Sequence, residues 1–183
     1  MAKFIKYRTR VEESVAQSFL RQLSDGLNFL NQKNIVHRDL KPANILLSEN
    51  SDFAILKFAD FGFAKHLEEA ALTQTQCGTP LYMVLCIVLH YFYSFRCYAL
   101  DIVYCSSSQA PEIFEMRDYD ATVDIWSVGG IFYEMLTGSV PYKGSNPREL
   151  YANIKSKPLS IPLQLSLTKE SVILLRNVST IYL

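Results

Sequence analysis

One polar segment constrains the fold of this chain more than any other feature. It runs from His37 to Asn44 with the sequence His-Arg-Asp-Leu-Lys-Pro-Ala-Asn, and sixteen residues after Asn44 comes a second motif, Asp60-Phe61-Gly62. Three strand-like runs border the two motifs: Ile35-Val36, Ile45 to Leu47 and Ala54 to Ala59. Aspartate and asparagine are also common in ordinary turns. The order and spacing of both motifs nevertheless favour loops held by short strands, whose polar side chains form one site.

These motifs, followed by Ala110-Pro111-Glu112 in the same order, resemble the signature set of protein kinases. Phosphoryl transfer needs metal ions to neutralise phosphate charge and a carboxylate to orient the attacking hydroxyl. The resemblance implies that Asp39 is the catalytic base and that Lys41 neutralises the transferring phosphate of ATP. It also implies that Asn44 and Asp60 hold Mg²⁺ through oxygen ligands, which a hard cation prefers.

Two features favour serine/threonine over tyrosine specificity. Lys41 follows Asp39 by two residues, where tyrosine kinases have other residues. The run Cys77-Gly78-Thr79-Pro80-Leu81-Tyr82 resembles the substrate-docking segment of serine/threonine kinases. By this resemblance, Thr79 bonds Asp39 and Lys41. The implied function is transfer of the ATP γ-phosphate to serine or threonine hydroxyls of protein substrates.

Arg38 suggests regulation by phosphorylation. A buried arginine beside the catalytic aspartate needs an anion, and a phosphate on the following loop would supply one through charge-assisted bonds. Thr75 is our first candidate acceptor and Thr73 the second, and the alternative that both are unmodified loop residues stays open.

Two carboxylates are expected to have supporting roles. Asp124 resembles the kinase aspartate that braces the catalytic loop, because a carboxylate inside an apolar helix must find donors such as backbone amides. Glu112 resembles the residue that anchors the docking segment to the rest of the lobe.

The subfamily resemblance is to the ULK-type autophagy-initiating kinases. It rests on Ala59 to Ala64, on Cys77 to Met83, and on Tyr119 to Ser127. Ala43 departs from this family, which has glutamine there. The resemblance implies autophagy-initiation partners as well as protein substrates.

Apolar spacing predicts a mainly α fold. Helices are expected at residues 11–33, at Thr122 to Thr137 with Gly138 as the cap, from Asn146 onward, and at Thr168 to Val178. With the short strands, this predicts one domain over residues 1–183, a partial protein kinase domain consisting of the C-terminal lobe. We expect the N-terminal lobe to be absent, because no glycine-rich loop, strand lysine or partner glutamate precedes the motifs. A chain without these groups is expected to be inactive, since they position ATP.

Residues 84–109 do not match the family and are predicted to be an insert. One hypothesis is a retained intron, because Val84 and Gln109 are compatible with the GT and AG borders of introns. A regulatory insert and a membrane segment are the alternatives. We do not expect a membrane span, because the apolar run contains His90 and ends at Arg96 within fewer than the ~20 residues a spanning helix needs.

Composition excludes some functions. Basic and acidic residues number 18 each, so the charge balance does not indicate a nucleic-acid-binding protein. The four cysteines form no C-x-x-C pair, and with no signal peptide at Met1 this indicates reduced thiols in a cytoplasmic protein. The second functional hypothesis is a lobe fragment that binds or competes for partners without catalysis.

Overall fold

The structure, a computed structural model, describes residues 1–66 and 122–180, and these residues are mainly helical with four short strands. The helices are α1 (Ala2–Arg8), α2 (Glu13–Gln32), α3 (Thr122–Thr137), α4 (Pro147–Ser156) and α5 (Lys169–Thr180). The strands are β1 (Ile35–Val36), β2 (Ile45–Leu47), β3 (Leu56–Phe58) and β4 (Lys65–His66). Single turns of 3₁₀ helix lie at Pro42–Asn44 and Phe61–Phe63.

Helix α2 forms because its apolar residues repeat at helical spacing. Its buried residues are Val15, Ala16, Phe19, Leu20, Leu23, Leu27 and Leu30. This stripe packs on α3, and the ring of Phe19 lies 5.6 Å from that of Phe4 in α1. Burying one large apolar side chain of this kind stabilises a fold by about 1.5–3 kcal/mol. The α2–α3 contact is therefore the centre of the core.

Helix α3 is buried on nearly all sides, as expected for a central helix. Ile131, Phe132 and Met135 are fully buried. The helix ends at Gly138, which has a φ of 71°. A Cβ at this position would collide with the backbone carbonyl of Thr9, so the end of α3 packs directly on the connection between α1 and α2.

The four strands form two antiparallel pairs that hold the two sequence motifs. In the first pair, Ile35 faces His66 and Val36 faces Lys65. In the second, Ile45 faces Phe58 and Leu47 faces Leu56. Because β2 follows directly after Asn44 and β3 comes just before Asp60, the second pair brings the two motifs together.

The last two helices begin at polar caps. The side chain of Asn146 accepts a hydrogen bond from the Glu149 N–H at 2.9 Å, and Pro147 occupies the first turn of α4. Thr168 precedes α5, and its N–H donates to both carboxylate oxygens of Glu13 in α2, at 3.0 and 3.1 Å. The bonds between Thr168 and Glu13 tie α5 to the start of α2.

The prediction of a mainly α fold with a few short strands is confirmed. Helix α1, strand β4 and the 3₁₀ turns were not predicted. The predicted insert at 84–109 lies outside the described residues. Within residues 1–66 and 122–180, no helix is both long and apolar enough to cross a bilayer.

Candidate active site

Asp124, in the first turn of α3, binds the backbone of the polar loop between β1 and β2. One oxygen accepts the N–H of His37 at 2.5 Å, and the other accepts the N–H of Arg38 at 2.7 Å. Arg38 itself has a left-handed backbone conformation, with a φ of 68°. Burial raises the pKa of Asp124, although its bonds to His37 and Arg38 act in the opposite direction. The loop is therefore fixed to the central helix.

Asp39 has one oxygen held in place and one open. Its Oδ2 accepts from Lys41 Nζ at 2.7 Å and from Asn44 Nδ2 at 3.0 Å. Its Oδ1 is buried and has no hydrogen-bond partner among the described residues. A carboxylate fixed by one oxygen presents the other as an oriented acceptor for a proton.

Asn44 connects Asp39 to the second motif. Its side-chain nitrogen also donates to the backbone oxygen of Asp39 at 2.9 Å, so its side-chain oxygen is the atom left to bind a cation. Its own backbone oxygen accepts the N–H of Ala59 at 2.9 Å. This bond extends the β2–β3 pair by one step, so that Asp60 follows directly after the residue bonded to Asn44.

Asp60 has a left-handed backbone conformation, with φ 62° and ψ 68°. Aspartate tolerates this conformation better than most residues do. The side chain is exposed, and its Oδ1 accepts the N–H of Gly62 at 3.4 Å. The carboxylate therefore lies at the surface, two residues beyond the end of β3.

Two side chains of the polar loop reach across to the second motif. The imidazole of His37 is fully buried, 3.0 Å from the Ala59 oxygen through Nε2 and 4.7 Å from the ring of Phe61. Since a carbonyl only accepts, Nε2 carries the proton. Arg38 donates through Nε to the Phe63 oxygen at 2.7 Å. Sequence reasoning included His37 only as part of a motif and missed this role, for which its position before Arg38 and Asp39 was the only signal.

The structure thus joins Asp39, Lys41 and Asn44 by side-chain hydrogen bonds, and Asp124 bonds the backbone of the same loop. Asp60 follows Ala59, whose N–H binds the Asn44 backbone oxygen. Arg38 lies in the same loop, and its Nη1 is buried without a hydrogen-bond partner among the described residues. The remaining predicted residues, Thr73, Thr75, Thr79 and Glu112, lie outside the described residues.

A buried carboxylate held by a lysine and an asparagine is the kind of residue set that phosphoryl transfer uses. The protein kinase domain model matches residues 1–103 and 101–180 of this chain. The chain therefore belongs to the protein kinase family, and by family it is a serine/threonine protein kinase.

Its relatives agree with the predicted subfamily. The chain is 39% identical to the serine/threonine-protein kinase atg1 of Dictyostelium discoideum, over 90% of this chain and 21% of the relative. It is 39% identical to ATG1c of Arabidopsis thaliana, over 88% of this chain and 19% of the relative. It is also 39% identical to ULK3 of Xenopus laevis, over 93% of this chain and 31% of the relative. The predicted ULK-type resemblance is confirmed, and the chain spans between about a fifth and a third of these relatives' length.

Proposed function

We propose that this chain is the C-terminal lobe of a serine/threonine protein kinase and carries the residues that transfer the ATP γ-phosphate to a protein hydroxyl. The observation that carries the proposal is the geometry of Asp39. Lys41 and Asn44 hold one of its oxygens, while the other is buried and open. Such a carboxylate is suited to accept the proton of an attacking hydroxyl.

The residues present fit Mg²⁺ and ATP. Asn44 offers a side-chain oxygen, because its nitrogen is committed to Asp39, and Asp60 offers an exposed carboxylate on the adjacent strand end. Both are hard oxygen donors. When bound, Mg²⁺ neutralises phosphate charge. Lys41 supplies a further positive charge within 2.7 Å of Asp39 and would draw the phosphate toward the base.

Substitution of the proposed base tests the activity. We expect Asp39→Asn to abolish phosphotransfer to a serine/threonine peptide while the chain still responds to Mg²⁺-ATP in a thermal-shift assay, because Asn44 and Asp60 remain. Asp25→Asn is the matched control, since Asp25 is exposed on α2. Equal and measurable activity of the two variants would contradict the role of Asp39, whereas no activity in either protein is the result expected if the N-terminal lobe is needed to position ATP. No Mg²⁺-ATP shift in the unsubstituted chain would instead favour the non-catalytic binding module.

Arg38 supports a further proposal, that a phosphate on Thr75 regulates the site. Its Nη1 is buried without a partner among the described residues, while Nε already binds Phe63. An anion there would satisfy the guanidinium through charge-assisted bonds. We expect phosphorylated Thr75 to raise the melting temperature, and Arg38→Ala to remove that gain. An equal gain in both proteins would argue against the pairing.

We also propose that residues 84–109 are an insert in the kinase domain. The family match is made in two pieces that meet at residues 101–103, within this range, which supports the proposal. Sequencing the gene tests the retained-intron form of it. A codon other than CAG at Gln109 would exclude that form. Autophagy-initiation partners are likewise proposed from the ULK-type resemblance.

A further inference from the structure

Helix α1 has two different faces. Phe4 and Ile5 are buried, with exposed fractions of 4% and 3%, and the helix contacts the turn Pro42–Asn44 on this side. Lys3, Lys6 and Tyr7 follow the i, i+3, i+4 spacing of one helix face, and all three are exposed. The outer face of α1 is therefore cationic and carries an aromatic ring.

The charge of this face is not balanced locally. No acidic residue occurs in the first ten positions, which hold four basic residues, Lys3, Lys6, Arg8 and Arg10. Arg8 is ion-paired with Asp52 and lies over the ring of Phe4. Lys3, Lys6 and Arg10 make no ion pair with the residues the structure describes. Three cations thus remain available to a partner.

Exposed aromatic surface accompanies the charge. Tyr7 is 83% exposed, and Phe53, which follows Asp52 in the β2–β3 turn, is 90% exposed. The Arg8–Asp52 ion pair brings this turn against the end of α1. Exposed aromatic side chains beside cations are typical of protein-binding surfaces, because they supply apolar contact area that a phosphate backbone does not use.

We propose that this surface, made of Lys3, Lys6, Tyr7 and Phe53, binds an acidic protein segment that contains apolar side chains. The rest of the chain argues for a short segment rather than an extended polyanion. Basic and acidic residues are equal in number overall, so the chain outside the first ten positions is net negative. That body would repel a nucleic acid or an anionic bilayer, whereas a short acidic peptide fits the local positive face. The surface contains none of Asp39, Asn44 and Asp60, so binding to it can be measured without phosphotransfer.

Fluorescence anisotropy with the full 183-residue chain tests the proposal. The probe is a short labelled peptide in which glutamate alternates with leucine and phenylalanine, and a second peptide replaces every glutamate with glutamine. We expect only the acidic peptide to bind. Lys3→Glu/Lys6→Glu should weaken this binding roughly tenfold, because two favourable surface pairs become repulsive. Tyr7→Ala should weaken it less.

The control variant is Lys33→Glu/Lys169→Glu, which makes the same charge change on exposed residues outside this surface. It should bind as the unsubstituted chain does, and circular dichroism should show that all variants are folded. If Lys3→Glu/Lys6→Glu does not fold, Lys3→Gln/Lys6→Gln replaces it. Equal loss in the control would show non-specific attraction, and would overturn the proposal. Failure of the acidic peptide to bind would also overturn the proposal. This holds even if the chain binds phosphatidylserine vesicles, which would indicate an anionic bilayer as the partner instead.

Discussion

Asp39 and Asp124 are both almost fully buried, with exposed fractions of 4% and 2%, but their oxygens are used differently. Both oxygens of Asp124 accept backbone N–H groups of the loop. Asp39 has one oxygen held by Lys41 and Asn44 and one left open. An unpaired buried acceptor is costly, and such a group is expected where it has a chemical task.

Replacing Asp124 should therefore cost stability. In Asp124→Asn the amide nitrogen faces one of the two loop N–H groups, and two donors cannot pair. We expect the free energy of unfolding to fall by about 1–3 kcal/mol, measured by urea denaturation. Asp25→Asn, on the exposed face of α2, is the control. If the two variants unfold at the same urea concentration, the hydrogen bonds of Asp124 to the loop do not stabilise the fold.

At the scale of elements, α2 packs against β3 and is bonded at its start to the residue before α5. Gly26 of α2 lies against β3, because a Cβ there would come within 2.7 Å of the Phe58 ring. Glu13, at the start of α2, accepts the N–H and the hydroxyl of Thr168 before α5. The position of β3, and with it that of Asp60, depends on how closely α2 approaches.

Adding a methyl group at this approach should disturb β3. A glycine-to-alanine change within a helix normally stabilises it by about 1 kcal/mol. We expect Gly26→Ala to lower the melting temperature instead, because Phe58 must move, and to reduce the thermal shift on Mg²⁺-ATP. Gly26→Ala/Phe58→Leu should recover part of both losses. If Gly26→Ala alone raises the melting temperature, the Phe58 ring moves aside at little cost and the prediction is wrong.

Glu13 should make the free energy of unfolding depend on pH. Burial raises its pKa, but bonds from Ser171, Thr168 and Gln17 outweigh this and lower the pKa overall. A carboxyl group whose pKa is lowered in the folded state stabilises the fold at pH values above its ordinary, unfolded-state pKa. This stabilisation is lost as the pH falls through the lowered pKa of the folded state. Near neutral pH, Glu13→Gln should cost less than about 1 kcal/mol, since the group is largely solvated.

The difference between Glu13→Gln and the unsubstituted chain should shrink as the pH falls below the ordinary carboxyl pKa, and should disappear once the pH is below the lowered pKa of the folded state. Urea denaturation at several pH values measures it. Glu49→Gln in the β2–β3 turn is the control. A difference that stays constant as the pH falls would show that hydrogen bonds to the ionised form are not the cause.

The sequence predicted those elements whose signals are local. Helix α4 was predicted from Asn146 and Pro147, and its cap bond is present. Helix α1 was missed because its seven residues bury only Phe4 and Ile5, too few for a periodic pattern. The motifs identified Asp39 and Asn44. The contacts of Arg38 with Phe63 and of His37 with Phe61 could not be predicted, since they depend on how the chain folds between residues far apart.

For the whole molecule, the two described stretches meet at both ends of α3. Asp124 binds the loop at one end, and at the other Gly138 lies against Thr9. Near that second end, the Val11 N–H donates to the Met135 oxygen at 2.7 Å. Residues 1–66 and 122–180 therefore form one core.

Substitutions at Gly138 separate the two reasons for a glycine there. Alanine at a φ of 71° is strained, by roughly 1–2 kcal/mol, and its Cβ would also collide with Thr9. Asparagine tolerates this backbone conformation but has the same Cβ. If the close approach dominates, Gly138→Asn should destabilise the chain as much as Gly138→Ala does in thermal melts. Near-native stability of the asparagine variant would mean that only the backbone angle matters.

The brace by Asp124 has a consequence for the timing of local opening. Loop amides usually exchange with solvent deuterium quickly, but the N–H groups of His37 and Arg38 are bonded inside the core to a helix more than eighty residues away. They can exchange only when α3 separates from the loop. We expect these two amides to be among the slowest in the chain, and their protection, followed by NMR, to fall to loop-like values in Asp124→Asn. The catalytic loop would then be as long-lived as the central helix, and would be lost only when that helix opens.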